Sequence, residues 1–131
     1  MIAVDASAIV AILLDEPEAE AFARHILANP GAVMSPVGYW EASTRLRMLR
    51  GDQGAVELDT AMSQLGVNVW PASSSTAKFA AEAEKRFGKR TAAKLNLGDC
   101  FAYALARELD APLLYKGDDF SLTDMTPALT G

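Results

Sequence analysis

Apolar residues in this chain fall into short solid runs, separated by longer stretches in which they recur every three or four positions. Ile2-Ala3-Val4 is the first solid run, and it reads as a short strand buried on both faces. Asp5 stands at its C-terminal end. Ala6 to Leu14 is apolar and helix-compatible, with Ser7 as its candidate cap. Glu16-Pro17-Glu18 starts a second helix, with proline and acids in the favoured first turn. Ala19, Phe22, Ala23, Ile26 and Leu27 form its apolar face. After the turn Asn29-Pro30-Gly31, Ala32-Val33-Met34 is a second strand, ending at Ser35-Pro36. A third helix is expected from about Val37 to Arg50, with Val37, Glu41, Thr44 and Met48 on one stripe.

Gly51 ends that helix, and Ala55, Leu58, Met62 and Leu65 mark a fourth, ordinary amphipathic one. Val67 to Trp70 alternates like a strand. Ser73-Ser74-Ser75 then caps a fifth helix whose inner face is Phe79, Ala80, Ala83 and Phe87. A sixth helix opens at Gly98-Asp99 and is apolar on nearly every side to Leu109, the mark of a buried helix. Asp110-Ala111-Pro112 stops it. Leu113-Leu114-Tyr115 follows as a strand, Lys116-Gly117-Asp118-Asp119 leaves it as a turn, and an edge strand is expected near Met125 to Leu129. Strands alternating with helices predict an α/β fold of three layers, a mainly parallel central sheet with helices on both faces, in one domain over residues 1–131.

Composition narrows the chemistry. A formal net charge of -5 gives no overall attraction to nucleic acid, so such a partner would need a local basic patch or metal ions. The densest basic stretch holds Lys85, Arg86, Lys89, Arg90 and Lys94 and runs into Asp99. Its plain reading is a solvated face, partly cancelled by Glu82 and Glu84; its functional one is phosphate steering. One cysteine, Cys100, excludes an internal disulfide, and Met1 leads into IAVD without a basic leader. A cytoplasmic protein with no membrane segment is expected. With one histidine and one cysteine no zinc site is plausible, and a histidine triad would depend on His25 alone. No Gly-rich phosphate loop is present.

What remains is carboxylate. Asp5, Glu41, Asp99 and one or both of Asp118 and Asp119 fall where the strands of such a sheet end, the usual place for a ligand. Each has a plainer reading: a strand end, an i,i+4 pair of Glu41 with Arg45, a helix N-terminal acid, a turn. Together they repel one another unless a hard divalent cation neutralises them, and oxygen donors suit Mg²⁺ or Mn²⁺.

The segments IAVDASAIVAILLDEPEAE, SPVGYWEAS and NLGDCFAYALARELDAPLLYKGDDFSLTD closely resemble the PIN-domain ribonucleases, and more narrowly the VapC toxins of bacterial type II toxin–antitoxin pairs. The resemblance covers essentially the whole chain. It implies a PIN-like α/β/α domain and a Mg²⁺- or Mn²⁺-dependent endoribonuclease that hydrolyses RNA, is inhibited by a cognate antitoxin, and is a homodimer. It assigns Asp5 and Asp99 to the principal metal. Glu41 and either Asp118 or Asp119 complete the acidic shell, and Asp119 is favoured because it directly precedes Phe120. Ser7 would orient Asp5 from behind. Two other classes compete: a non-catalytic module that binds protein through the same fold, and a haloacid-dehalogenase-like phosphatase. The latter would want an aspartate where Ser7 stands.

Overall fold

The computed structural model describes residues 1–129 and consists of a parallel sheet between two helical layers. In chain order the elements are β1 (Ala3–Val4), α1 (Ala6–Leu13), α2 (Ala19–Leu27), β2 (Val33–Met34), α3 (Pro36–Arg50), α4 (Asp52–Leu65), β3 (Asn68–Val69), α5 (Ser74–Phe87), α6 (Leu97–Glu108) and β4 (Leu113–Leu114). The strand order is β3-β2-β1-β4, with Ala3 opposite Val33 on one side and Leu113 on the other. Every pairing is parallel.

Alternation along the strands builds the layers. Ile2, Val4, Met34 and Leu114 pack against α1 to α4, among them Ile9, Phe22, Ile26, Leu46 and Leu58. Their neighbours Ala3, Val33 and Leu113 face the opposite way, onto Ala80 and Ala83 of α5, the interior of α6, and Phe120. Successive strand residues point to opposite faces, so β1, β2 and β4 are dry on both surfaces, while the edge strand β3 is exposed. That explains why those three strands read as solid apolar runs.

Several expectations are corrected in detail. Ser7 does not cap α1: Asp5 does, in extended conformation, and Ser7 donates to it. Leu27 and Phe79, expected inward, are exposed, and Met48 is 82% exposed at the far end of the Glu41 stripe. The predicted edge strand after Met125 is a single parallel bridge between Leu113 and Pro127. Pro127 has no backbone N–H to extend a ladder.

Candidate active site

The chain leaves β1 for helices on one face and reaches β4 from helices on the other, so its course reverses between these two strands. In open α/β sheets the crevice beyond the strand ends at such a switch point is where ligands bind. Asp5 follows β1 at this point, and the loop carrying Asp119 follows β4.

Asp5 is buried, and its Oδ2 accepts from Ser7 N at 3.0 Å and Ser7 Oγ at 2.6 Å. The same hydroxyl accepts from Lys116 N at 2.9 Å, so one serine joins the first acid to the β4 loop. Lys116 Nζ pairs with Glu16 at 3.0 Å and Glu18 at 3.6 Å, anchoring that loop to the α1–α2 turn. Gly117, at φ +94, then turns the chain through a conformation that a side chain disfavours.

Asp99 is fixed by the start of α6. Asn96 Oδ1 accepts from Asp99 N at 2.8 Å, and Asp99 Oδ2 accepts from Asn96 N at 3.1 Å, a reciprocal capping box. Glu41 reaches the site from α3 and lies directly on Gly98. A Cβ at that position would collide with Glu41 Oε1, Cδ and Oε2, so only glycine leaves room for the carboxylate. This role of Gly98 could not be read from the chain, because 98 and 41 are brought together only by the packing of α3 on α6.

Asp5, Glu41, Asp99 and Asp119 line one cleft of about 560 Å³. Burial raises the Asp5 carboxyl above its ordinary range against the pull of Ser7, and Asp119 adds to the rise. Glu41 is pushed up to about 7, first by burial and then by Asp5 and Asp99. Asp99 is pushed up to about 6, chiefly by burial; Asp5 and Asp119 add, while the Asn96 N–H and Lys89 oppose. None of these four acids takes part in an ion pair among the described residues, and Glu41 therefore does not form the pair with Arg45 that was its plainer reading.

The other expected residues are placed differently. Asp118 points away, lining a separate cavity with Pro17, Glu18 and Tyr115. Of the basic stretch, none of the five lines the acidic cleft. Arg86 is held by Asp124 at 3.2 Å and lies over the Phe87 ring. Lys89 borders the adjacent groove between α5 and α6, while Lys85, Arg90 and Lys94 are exposed. The cationic side chain that does line the cleft is Arg45, accompanied by Trp40, Thr44 and Met48 of the same helix. Cys100, next to Asp99, is buried with its thiol pushed up to about 11, chiefly by burial, and is a core residue.

The donor set fits a hard divalent cation: the carboxylates of Asp5 and Asp99 are buried, that of Glu41 is half-buried and that of Asp119 is exposed at the edge, all oxygen donors, with the charges of Asp5 and Asp99 disfavouring ionisation of Glu41. Among the described residues no three Asp, Glu, His or Cys side chains are arranged to hold an ion by themselves. The phosphatase alternative is weakened, since its second aspartate position is a serine bonded to the first.

The PIN domain family model matches residues 2–124, which span this sheet and all four acids of the cleft. The chain belongs to the PIN-domain family, in its VapC group. It is 41% identical over 123 residues to Ribonuclease VapC of Mycolicibacterium smegmatis, covering 93% of this chain and 95% of that one. It is 39% identical to Ribonuclease VapC30 of Mycobacterium tuberculosis, covering 93% and 94%. The fold is also that of Mycobacterium tuberculosis VapC20, described as a Sarcin-Ricin loop cleaving toxin, at a TM-score of 0.75, 20% identity and 96% and 97% coverage. A toxin–antitoxin complex from Klebsiella pneumoniae superposes at 0.71, with 17% identity and 95% and 93% coverage.

Proposed function

We propose that this protein is a Mg²⁺- or Mn²⁺-dependent endoribonuclease, the toxin of a toxin–antitoxin pair, acting in the cytoplasm as a homodimer. The observation that carries this reading is the meeting of four carboxylates, from four separate elements, in one cleft without a cationic partner among the described residues. Its kinship with VapC ribonucleases supplies the substrate class, RNA, and a cognate antitoxin as the inhibitor.

Asp5 and Asp99 would hold the ion, and Glu41 and Asp119 would complete the acidic ring directly or through waters. A bound divalent ion lowers the pKa of its water and polarises the phosphodiester. The protein's own contribution is positioning: Ser7 fixes the Asp5 carboxylate, the Asn96–Asp99 box fixes the second, and Gly98 admits the third. Residues behind metal-binding carboxylates typically matter about 10- to 100-fold.

The test is cleavage of RNA by antitoxin-free protein in Mg²⁺, Mn²⁺ or EDTA, run beside Asp99→Asn. Cuts that require the ion and vanish in the variant are expected. Absence of Mn²⁺ binding by the folded parent would overturn the enzyme and leave the fold as a protein-binding module.

A further inference from the structure

The cleft has two unlike walls. Its floor is acidic, but the α3 side presents Trp40, 63% exposed, and, five residues further along the helix, Arg45, which lines the same cleft and forms no ion pair among the described residues. Beyond Glu41, α3 carries no further acid and three arginines, of which Arg45 and Arg47 are exposed and Arg50 is taken by Glu57. Trp40, Thr44 and Arg47 follow one another at helical spacing. The indole shares this side of the cleft with Met48 and Leu49, both also exposed, so it is left in solvent rather than packed into the core. Tyr39, its neighbour, donates to Asp59, and Trp70 lies beyond β3, outside this cleft.

We propose that Trp40 and Arg45 form a nucleotide subsite flanking the scissile phosphate, the indole stacking on one unpaired base and the guanidinium taking the adjoining phosphate. This deepens the ribonuclease reading and rests on it. Phosphates carried to an acidic floor are repelled except where the ion sits, so the strand needs cations on at least one wall, and α3 is the wall of this cleft that carries one. Aromatic stacking beside a cationic track is the general means of holding a single strand, and it tolerates any base because each has a π face. A paired base shields both faces inside the duplex, so the subsite selects single-stranded segments such as loops. An apolar partner segment is the competing occupant of Trp40, but it leaves Arg45 without a counter-charge.

The test uses the full chain carrying Asp99→Asn, chosen to abolish cleavage, and Trp70→Phe, which leaves Trp40 as the one indole. A mixed-sequence single-stranded RNA 12-mer should quench its fluorescence, and the matching duplex should bind more weakly. Trp40→Ala, followed by anisotropy of labelled RNA, should weaken binding about 5- to 150-fold, with Trp40→Tyr recovering most of it. Arg45→Ala should reduce the slope of log K against log salt by about 0.7, one phosphate's share for a single strand, and Arg45→Lys should restore it. Unchanged affinity in Trp40→Ala, with the parent still binding RNA, would overturn the subsite and leave the ribonuclease standing. A parent that binds no RNA would overturn both. Unchanged RNA affinity together with a dimer turned monomer by Trp40→Ala would assign α3 to a contact between copies instead.

Discussion

Gly98→Ala adds one methyl group where a Cβ would overlap the carboxyl of Glu41. Two energies compete in the fold. Alanine favours the helix over glycine by up to about 1 kcal/mol, while forcing a methyl into an occupied space costs about 1–3 kcal/mol. The obstructing atoms, however, are the far end of a half-buried, flexible side chain rather than backbone. Glu41 can swing away, so the two terms nearly cancel and the melting temperature should move by only a few degrees. Function does not share that tolerance, because displacing a catalytic group by about 1 Å costs on the order of 100-fold. The expected result is therefore a protein of parental stability that cleaves RNA about 100-fold more slowly and holds Mn²⁺ less tightly. Glu41→Asp withdraws the carboxylate by one C–C bond, about 1.5 Å, and clears the space. Gly98→Ala should then cost little more in the Glu41→Asp background, a coupling that a double-mutant cycle reads directly. Parental cleavage by Gly98→Ala would refute the role of this contact. Equal penalties in both backgrounds would show that the loss does not pass through Glu41.

Further outcomes follow from the same site. Glu41 and Asp99 titrate higher in the fold than in the unfolded chain, so the native state binds more protons and metal-free stability should fall as pH rises from about 4 to about 7, by on the order of 3 kcal/mol once solvent screening of these part-exposed groups roughly halves the full linkage. Melts in EDTA should show this fall and Mg²⁺ should reverse it at pH 8 but not at pH 5; a steady rise in EDTA would contradict the assignment. Asp99→Asn keeps an acceptor for Asn96 N and removes a buried charge, so it should raise metal-free stability at pH 8 by about 1–3 kcal/mol while abolishing cleavage. Ser7→Ala deprives Asp5 of a donor and Lys116 N of its acceptor; about 1–3 kcal/mol of stability and at least tenfold in cleavage should go, measured by urea melts and initial rates. Asp119→Asn should nearly silence cleavage and Asp118→Asn leave it within a few fold, since only the former faces the cleft.

The acids were legible in the chain because each sits beside strong local punctuation. Asp5 follows a solid apolar run, Asp99 opens a helix buried on nearly every side, and Asp118-Asp119 leaves a strand through Gly117. Between the last two, the resemblance favoured Asp119 from its place before Phe120, but the physical reason for the choice lies outside the local sequence. It depends on how Lys116 is drawn to Glu16 and Glu18 and how Gly117 then turns the chain. The inward facing expected of Leu27 and Phe79 failed for a related reason: helical spacing identifies a stripe, but its width is set by the neighbouring layer. Met48 continues the Glu41 stripe past the core and into the cleft. The basic stretch lies off the cleft because density of charge along the chain is not position in space; Arg86 is held by Asp124, across the Tyr103 hydroxyl. Trp40 reads like any helical aromatic until α3 is seen to border the acids.

The pairing of Ala3 with Leu113 makes the site a late event in the life of each molecule. Neighbours that far apart along the chain meet only after most of the intervening helices have condensed, and non-local contacts of this kind slow folding. Until β4 docks beside β1, Asp5 lacks the Lys116 bridge to its serine, Asp119 has no place, and the crevice has only one bank. A nascent chain that has not yet reached residue 113 therefore has the first acid but not the second bank of its crevice.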